Sequence, residues 1–169
     1  MNYQGRKPKN LFLFDGKHRV VYTDGSCINN GRFDARAGIG VYWGEGNNLN
    51  ISERYDGKQS SQAAELGAAI KALKIAEKKG FFDLILYTDS DYLYKSMTQW
   101  IYRWMKNGWR DVRNRPLSNK DLFEELYNLI EKTGTNIRKI PAHSKIDGNE
   151  RADSLSRRGA RQDYPSVKL

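Results

Sequence analysis

Apolar residues along the chain follow two periods, one typical of β-strands and one typical of α-helices. Residues 19–27 are rich in Val and Tyr and predict a strand. Two more strands are predicted at residues 37–43 and 49–55, because the turn-forming run GEGNN separates them. Three strands joined by short turns predict an antiparallel meander.

The period becomes helical after residue 60. Leu66, Ile70 and Leu73 recur at helical spacing up to Gly80, which is a typical helix stop. The continuous apolar run at residues 84–88 is typical of a strand buried on both faces. The remaining predicted elements are helices at about 90–105 and 119–132, a basic loop at 108–118, a strand at 136–140 and a helix at about 148–159.

This order of elements predicts an α/β fold in one domain. A meander followed by βαβ units favours a five-stranded mixed sheet, three antiparallel strands and then two parallel ones, with helices on both faces. The domain is expected at residues 18–160, after a loosely held basic N-terminal arm at 1–17 and before a C-terminal tail at 161–169.

The composition and charge of the chain indicate which kind of partner it binds. The chain has 169 residues and a formal net charge of +9. Between Lys95 and Lys120 there are seven basic residues and a single acid, Asp111, with three tryptophans among them. The tryptophans alone would favour core packing, but the whole cluster favours contact with a nucleic acid, since cations neutralise phosphates while aromatic rings stack.

The same composition favours an intracellular protein that does not enter a membrane. No apolar run approaches the roughly 20 residues of a membrane span, and the opening MNYQGRKPKN lacks the apolar centre of a secretory signal. The single Cys27 cannot form an internal disulfide, which suits a reducing compartment. Nucleus, mitochondrion and bacterial cytoplasm all remain open.

Four acidic residues interrupt segments that otherwise predict buried strands or amphipathic helices: Asp24, Glu65, Asp89 and Asp153. Each has an ordinary explanation, such as a turn, a helix dipole, a helix cap or an ion pair with Arg157. Together they favour a shared cation site, because buried carboxylates are costly without a positive charge and hard divalent metals prefer oxygen ligands.

The predicted topology supports that interpretation. Asp24 falls late in the first strand and Asp89 at the carboxyl end of the fourth, so both reach one crevice if these strands are parallel neighbours. Glu65, near the start of the first long helix, and Asp153, in the last helix, could face the same crevice.

Seven sequence motifs resemble those of one protein family and occur in the same order. YTDGSC, AGIGVYW, QAAELGAAIKAL, LYTDSDY, QWIYRWMKNGW, SNKDLFEEL and PAHSKIDGNERAD occur with the order and spacing of type 1 ribonuclease H, over about residues 18–160. The resemblance implies a ribonuclease H-like fold and an endonuclease that cleaves the RNA strand of RNA–DNA hybrids, leaving 5′-phosphate and 3′-hydroxyl ends. It also implies two Mg²⁺ ions, with Mn²⁺ as a substitute, held by Asp24, Glu65, Asp89 and Asp153.

The resemblance assigns further residues. His143 would move protons and help product to leave, in a loop where Ala142 and Lys145 replace the glycines common in the family. Asn30, Ser61 and Gln62 would read the minor groove of the hybrid. Lys58, Ser60 and Asn119 would hold a DNA phosphate. Trp100 and Trp104 would form the floor of the channel that binds the DNA strand.

Two rival interpretations remain. One is a catalytically silent hybrid-binding module of the same fold, and the other is an integrase or transposase domain; cleavage assays on hybrid and duplex DNA would separate them. A separate upstream hybrid-binding domain does not fit in residues 1–17, so the chain is expected to be either a catalytic domain alone or part of a longer protein. A monomer is the default expectation.

Overall fold

The computed structural model describes residues 10–141 and 144–164, and its centre is one mixed sheet. The strands are β1 (Leu13–Asp15), β2 (His18–Ile28), β3 (Arg36–Tyr42), β4 (Ile51–Arg54), β5 (Ile85–Thr88) and β6 (Asn136–Lys139). The main path through the sheet is β4-β3-β2-β5-β6. Strands β2, β3 and β4 are antiparallel, whereas β5 and β6 run parallel to β2, as the sequence predicts.

The strand β1 corrects the predicted count of five strands and the predicted loose arm. It pairs antiparallel with the start of β2, so that Leu13 lies opposite Val20. Gly16, at φ 58°, makes the tight turn between them, and Phe12 packs edge-on against Phe81. This strand of three residues is too short to show a period, but the Asp15–Gly16 pair is a hairpin signal. The rest of the predicted arm (1–9) and residues 165–169 of the predicted tail lie outside the described residues.

Five helices complete the described structure: α1 (Ser61–Lys79), α2 (Asp91–Lys95), α3 (Ile101–Asn107), α4 (Lys120–Thr133) and α5 (Asp147–Ala160). Ser60 caps the start of α1, because its hydroxyl accepts a hydrogen bond from the N–H of Ala63 at 3.2 Å. Gly80 caps the end of the helix in the left-handed conformation that glycine adopts without strain (φ 71°).

The segment predicted as one helix at about 90–105 is interrupted in the structure. A π-helical turn, Ser96–Trp100, separates α2 from α3, and the N–H of Ile101 donates to the carbonyl of Ser96 five residues earlier. The turn inserts one residue while Met97, Ile101 and Trp104 all stay buried. Because the apolar pattern continues through it, the sequence gives no sign of the interruption.

Helices cover both faces of the sheet, as predicted. Neighbouring strand residues point to opposite faces, and Gly25 of β2 lies against the backbone of α1 while Asp24 faces α5. Gly38 and Gly40 of β3 have no side chain to separate the sheet from α5. The larger core lies on the α1 side and includes Leu66, Leu86 and Phe123. Among the described residues, none of the helices combines the length and the apolar character that crossing a bilayer requires.

Candidate active site

The register of the sheet brings Asp24 and Asp89 together. Strands β2 and β5 are parallel neighbours, and their last paired positions are Tyr22 and Tyr87. Asp24 lies two residues beyond this pairing, within β2, and Asp89 lies two residues beyond it, directly after β5. Both acids therefore lie where the parallel-paired segment ends, and the carboxyl side of parallel strands is where ligands bind in such sheets. The convergence expected from the sequence is therefore present for these two carboxylates.

Glu65 approaches Asp24 and Asp89 from the other face of the sheet. The absence of a side chain at Gly25 lets the backbone of α1 approach β2 closely at Ala64 and Glu65. The hydroxyl of Ser90, next to Asp89, donates to Glu65 Oε2 at 2.6 Å. Ser90 also accepts from the N–H of Leu93 and so caps α2.

Asp153 is supplied by α5, which lies directly on the sheet. The buried stripe of this helix consists of small residues that include Ala152, Ser156 and Gly159. Small side chains allow the helix to rest on Gly38 and Gly40, and Asp153 is close enough to Asp24 to raise its pKa. Arg157 pairs with the Asp153 carboxylate at 3.2 Å on the solvent side.

The surroundings of Asp24 and Glu65 disfavour their charged forms. Burial raises the pKa of Asp24 to about 8, and the nearby carboxylates of Asp89 and Asp153 act in the same direction against the hydrogen bond from Ser156. Burial also raises the pKa of Glu65 to about 7, again helped by Asp89 and opposed by the hydrogen bond from Ser90. These shifts are typical of functional carboxylates that a bound cation would neutralise.

Three neutral side chains that sequence reasoning missed hold the carboxylates. Ser90 donates to Glu65, Asn149 Nδ2 donates to Asp89 Oδ2 at 3.2 Å, and Ser156 donates to Asp24 Oδ2 at 3.0 Å. A weak signal exists for Ser156, because it is a polar residue on the buried face of α5, one turn after Ala152. Asn149 lies within a matched motif, but nothing in its pattern distinguishes it from a surface residue.

The donor set fits a hard divalent cation. It combines four carboxylates with the buried Oδ1 of Asn149, which has no hydrogen-bond partner among the described residues. The same part of the chain contains no group of three or more acidic, His or Cys side chains already gathered as a metal cage. The carboxylates of Asp89 and Asp153 are close enough to raise the pKa of Asp24, but the four acids would have to move closer together to bind one cation.

An open cleft of about 330 Å³ adjoins two of the four acids. Its lining includes Asp89, Asp153 and Asn149 together with the cations Lys145 and Arg157. His143 and Ala142 lie outside the described residues, so the predicted role of His143 stays a prediction.

The residues expected to read the minor groove form one hydrogen-bonded group. Asn30, in the turn between β2 and β3, donates to Ser61 Oγ and accepts from the Ser61 N–H, both at 3.2 Å. Gln62, the next residue of α1, is exposed. The β2–β3 turn is thus tied to the start of α1, the helix that carries Glu65.

The residues expected to hold a DNA phosphate lie near the starts of two helices. Lys58 is exposed, whereas the hydroxyl of Ser60 is engaged in capping α1. Asn119 precedes α4 in a left-handed conformation (φ 64°), and its amide donates to the hydroxyl of Tyr92 at 3.2 Å. Both side chains keep a hydrogen that could be donated to a phosphate, because the Ser60 hydroxyl accepts in the cap and the Asn119 amide carries two hydrogens.

The two tryptophans of the expected DNA channel differ in exposure. Trp104 is 6% exposed, with its ring centroid 4.8 Å from that of Phe123, so it belongs mainly to the core. Trp100 is partly exposed and lies 6.1 Å from Trp104. Of the two rings, Trp100 offers the larger surface to a substrate.

The basic loop after α3 is ordered by Asp111. Its carboxylate accepts hydrogen bonds from the N–H groups of Arg113 and Arg115, both at 2.9 Å, and from the Arg115 side chain at 3.1 Å. These bonds lower the pKa of Asp111. The sequence shows Asp111 as an isolated acid among cations, whereas the structure gives it the role of holding the loop that presents them.

Comparisons with known proteins agree with this site. The family model described as RNase H matches residues 16–161. Ribonuclease H1 of Rattus norvegicus is 46% identical over 91% of this chain and 54% of its own length. Ribonuclease H of Francisella tularensis subsp. novicida is 35% identical over 85% of this chain and 92% of its own length.

A solved structure shares the fold. The crystal structure of LC9-RNase H1, "a type 1 RNase H with the type 2 active-site motif", has a TM-score of 0.67 and 25% identity over 83% of this chain and 71% of that one. The chain belongs to the ribonuclease H family, and its similarity to the ribonuclease H1 proteins places it with the type 1 members. It spans about half the length of the mammalian relatives that it matches.

Proposed function

We propose that this chain is an endonuclease that hydrolyses the RNA strand of RNA–DNA hybrids with the help of divalent metal ions. The observation that carries the proposal is the convergence of carboxylates from β2, α1, α5 and the end of β5, where burial raises the pKa of Asp24 to about 8. Such a site is unfavourable without a cation and becomes favourable with one. The curated relatives named ribonuclease H support the reaction.

The four acids and their donors would bind and orient Mg²⁺, or Mn²⁺ in its place. Two bound ions would supply an activated water and stabilise the leaving 3′ oxygen, which yields 5′-phosphate and 3′-hydroxyl ends. Asp24 and Asp89 would bridge or flank the ions, while Glu65 and Asp153 would each ligate one of them. His143 would carry protons during product release, a role for which an imidazole is chemically suited.

The hybrid would lie across the starts of α1 and α4. Asn30, Ser61 and Gln62 would contact the minor groove, where the 2′-hydroxyl distinguishes RNA from DNA. Lys58, Ser60 and Asn119 would hold a DNA phosphate, and the basic loop held by Asp111 would follow the DNA backbone beside Trp100 and Trp104. Recognition would follow shape rather than base sequence, and the chain would act as an intracellular monomer.

A substrate comparison tests this function. The chain is incubated with one sequence as labelled RNA–DNA hybrid, duplex DNA and duplex RNA, and cleavage of the hybrid RNA alone is expected. Asp24→Asn should abolish that cleavage while the circular dichroism spectrum stays unchanged, because the amide cannot neutralise a cation. Hybrid binding without cleavage would instead identify a silent binding module, and cleavage of duplex DNA would indicate another nuclease of this fold.

A second variant tests the predicted role of His143. His143→Ala should slow turnover without eliminating it, because the histidine assists product release rather than holding metal. Complete loss of cleavage with normal Mg²⁺ binding would contradict that role.

A further inference from the structure

Ser156 makes two contacts that connect two of the site carboxylates. It lies on α5 and is completely buried. Its hydroxyl is 3.0 Å from Asp24 Oδ2 and 2.8 Å from the main-chain carbonyl of Asp153. Both partners are acceptors and the hydroxyl has a single hydrogen, which is therefore shared between them or donated to one at a time. The side chain thus links the carboxylate on the sheet to the helical turn that carries the other carboxylate.

Packing fixes the position of that hydroxyl. The backbone of α5 at Ser156 lies against Gly38 and Gly40, at distances that leave no room for a side chain on either glycine. The seryl oxygen is consequently held beside Asp24 by helix–sheet packing, and it has little freedom to turn elsewhere.

The hydrogen bond has a directional consequence for Asp24. A carboxylate that accepts a hydrogen bond on Oδ2 has its rotation about the Cβ–Cγ bond restricted, so both of its oxygens are held in one orientation. Partners that orient metal ligands in this way contribute strongly to metal affinity, and their loss typically costs about 10–100-fold.

We propose that Ser156 is a positioning residue for metal binding, which orients Asp24 and fixes the turn of α5 that carries Asp153. The proposal rests on the proposed function, because it assumes that Asp24 and Asp153 bind a divalent cation. It adds a residue without a charge to the metal site, and this residue need not touch the metal or the substrate.

Calorimetric titration with Mg²⁺, and with Mn²⁺ in parallel, tests the proposal without nucleic acid. Ser156→Ala should weaken metal binding by about 10-fold, because only the hydroxyl is removed. The matched control is Ser154→Ala, which removes an exposed hydroxyl from the same helix and should bind both metals as the unaltered chain does. Equal affinity in Ser156→Ala and the unaltered chain would overturn the proposal.

A second measurement separates positioning from a purely structural role. The Mg²⁺ concentration that gives half-maximal hybrid cleavage should rise about 10-fold in Ser156→Ala, while the rate at saturating Mg²⁺ recovers. A residue that only stabilises the fold would lower the Tm in EDTA and leave the half-saturating Mg²⁺ unchanged, and that result would refute positioning. An unaltered chain that binds neither metal would overturn both this proposal and the metal site of the proposed function.

Discussion

Removing the charge of Asp24 should stabilise the metal-free protein, and the gain should grow with pH. Asp24 is 8% exposed, and its pKa is raised from an ordinary 3.8 to about 8. Near pH 4 the folded protein keeps this carboxyl neutral at little cost. As the pH rises towards 8, the unfolded chain has already lost the proton that the folded chain retains, so the folded state is progressively disfavoured.

The size of this destabilisation follows from the pKa shift of Asp24. One pKa unit corresponds to about 1.4 kcal/mol, so a shift of about four units costs the folded state at most about 6 kcal/mol above pH 8. Asn has nearly the same shape, carries no charge, and can still accept the hydrogen bond of Ser156. Asp24→Asn should therefore gain several kcal/mol of unfolding free energy at pH 8 and almost nothing near pH 4.

Urea unfolding in EDTA at pH 4, 6 and 8 measures this difference. The exposed Asp56→Asn serves as the control and should change little at any pH. If Asp24→Asn were no more stable than the unaltered chain at pH 8, or if its advantage did not depend on pH, the reasoning from burial and like charge would be refuted.

Three further predictions follow from the same structure. Because burial raises the pKa of Asp24 to about 8 and that of Glu65 to about 7, Mg²⁺ binding at pH 7 should release between about one and two protons, and at pH 9 nearly none. Calorimetry in buffers of different ionisation enthalpy would detect this release, and no release at pH 7 would contradict it. Gly40→Ala should cost about 3 kcal/mol of unfolding free energy or more, because its methyl group would collide with the backbone of α5, whereas Gly16→Ala at an open turn should cost about 1 kcal/mol; equal costs would contradict the close packing. Asp111→Ala should raise the KM for hybrid and leave Mg²⁺ affinity unchanged, since it frees the basic loop without touching the carboxylates, and an unchanged KM would exclude the loop from binding.

The sequence predicts the elements that carry strong periods. The strands β2 to β6 and the helix α1 fall within a few residues of their predicted bounds, because buried strands and amphipathic helices need many apolar residues in register. The π-helical turn at Ser96–Trp100 was not predictable, since it changes hydrogen bonding without breaking the apolar pattern. The strand β1 was missed because three residues cannot show alternation.

Some residues of the candidate site could also be predicted from the sequence, whereas others could not. Carboxylates such as Asp24 were predictable because a charge within a buried segment is costly and therefore conspicuous. Ser156 and Asn149 were not, because small neutral residues occur in many settings and their role depends on a contact across 132 or 60 residues of chain. Trp104 needed the structure as well, since an aromatic residue beside cations has the same pattern whether it is buried or exposed.

Metal dependence of hybrid cleavage tests the central claim most directly. The unaltered chain, freed of metal with EDTA, should leave the RNA of a labelled hybrid intact and should cleave it once Mg²⁺ exceeds the chelator. Asp24→Asn in the same titration should stay inactive at every Mg²⁺ concentration. Cleavage in EDTA, or no cleavage of the hybrid at any Mg²⁺ or Mn²⁺ concentration, would contradict the assignment of these four carboxylates to a catalytic metal site.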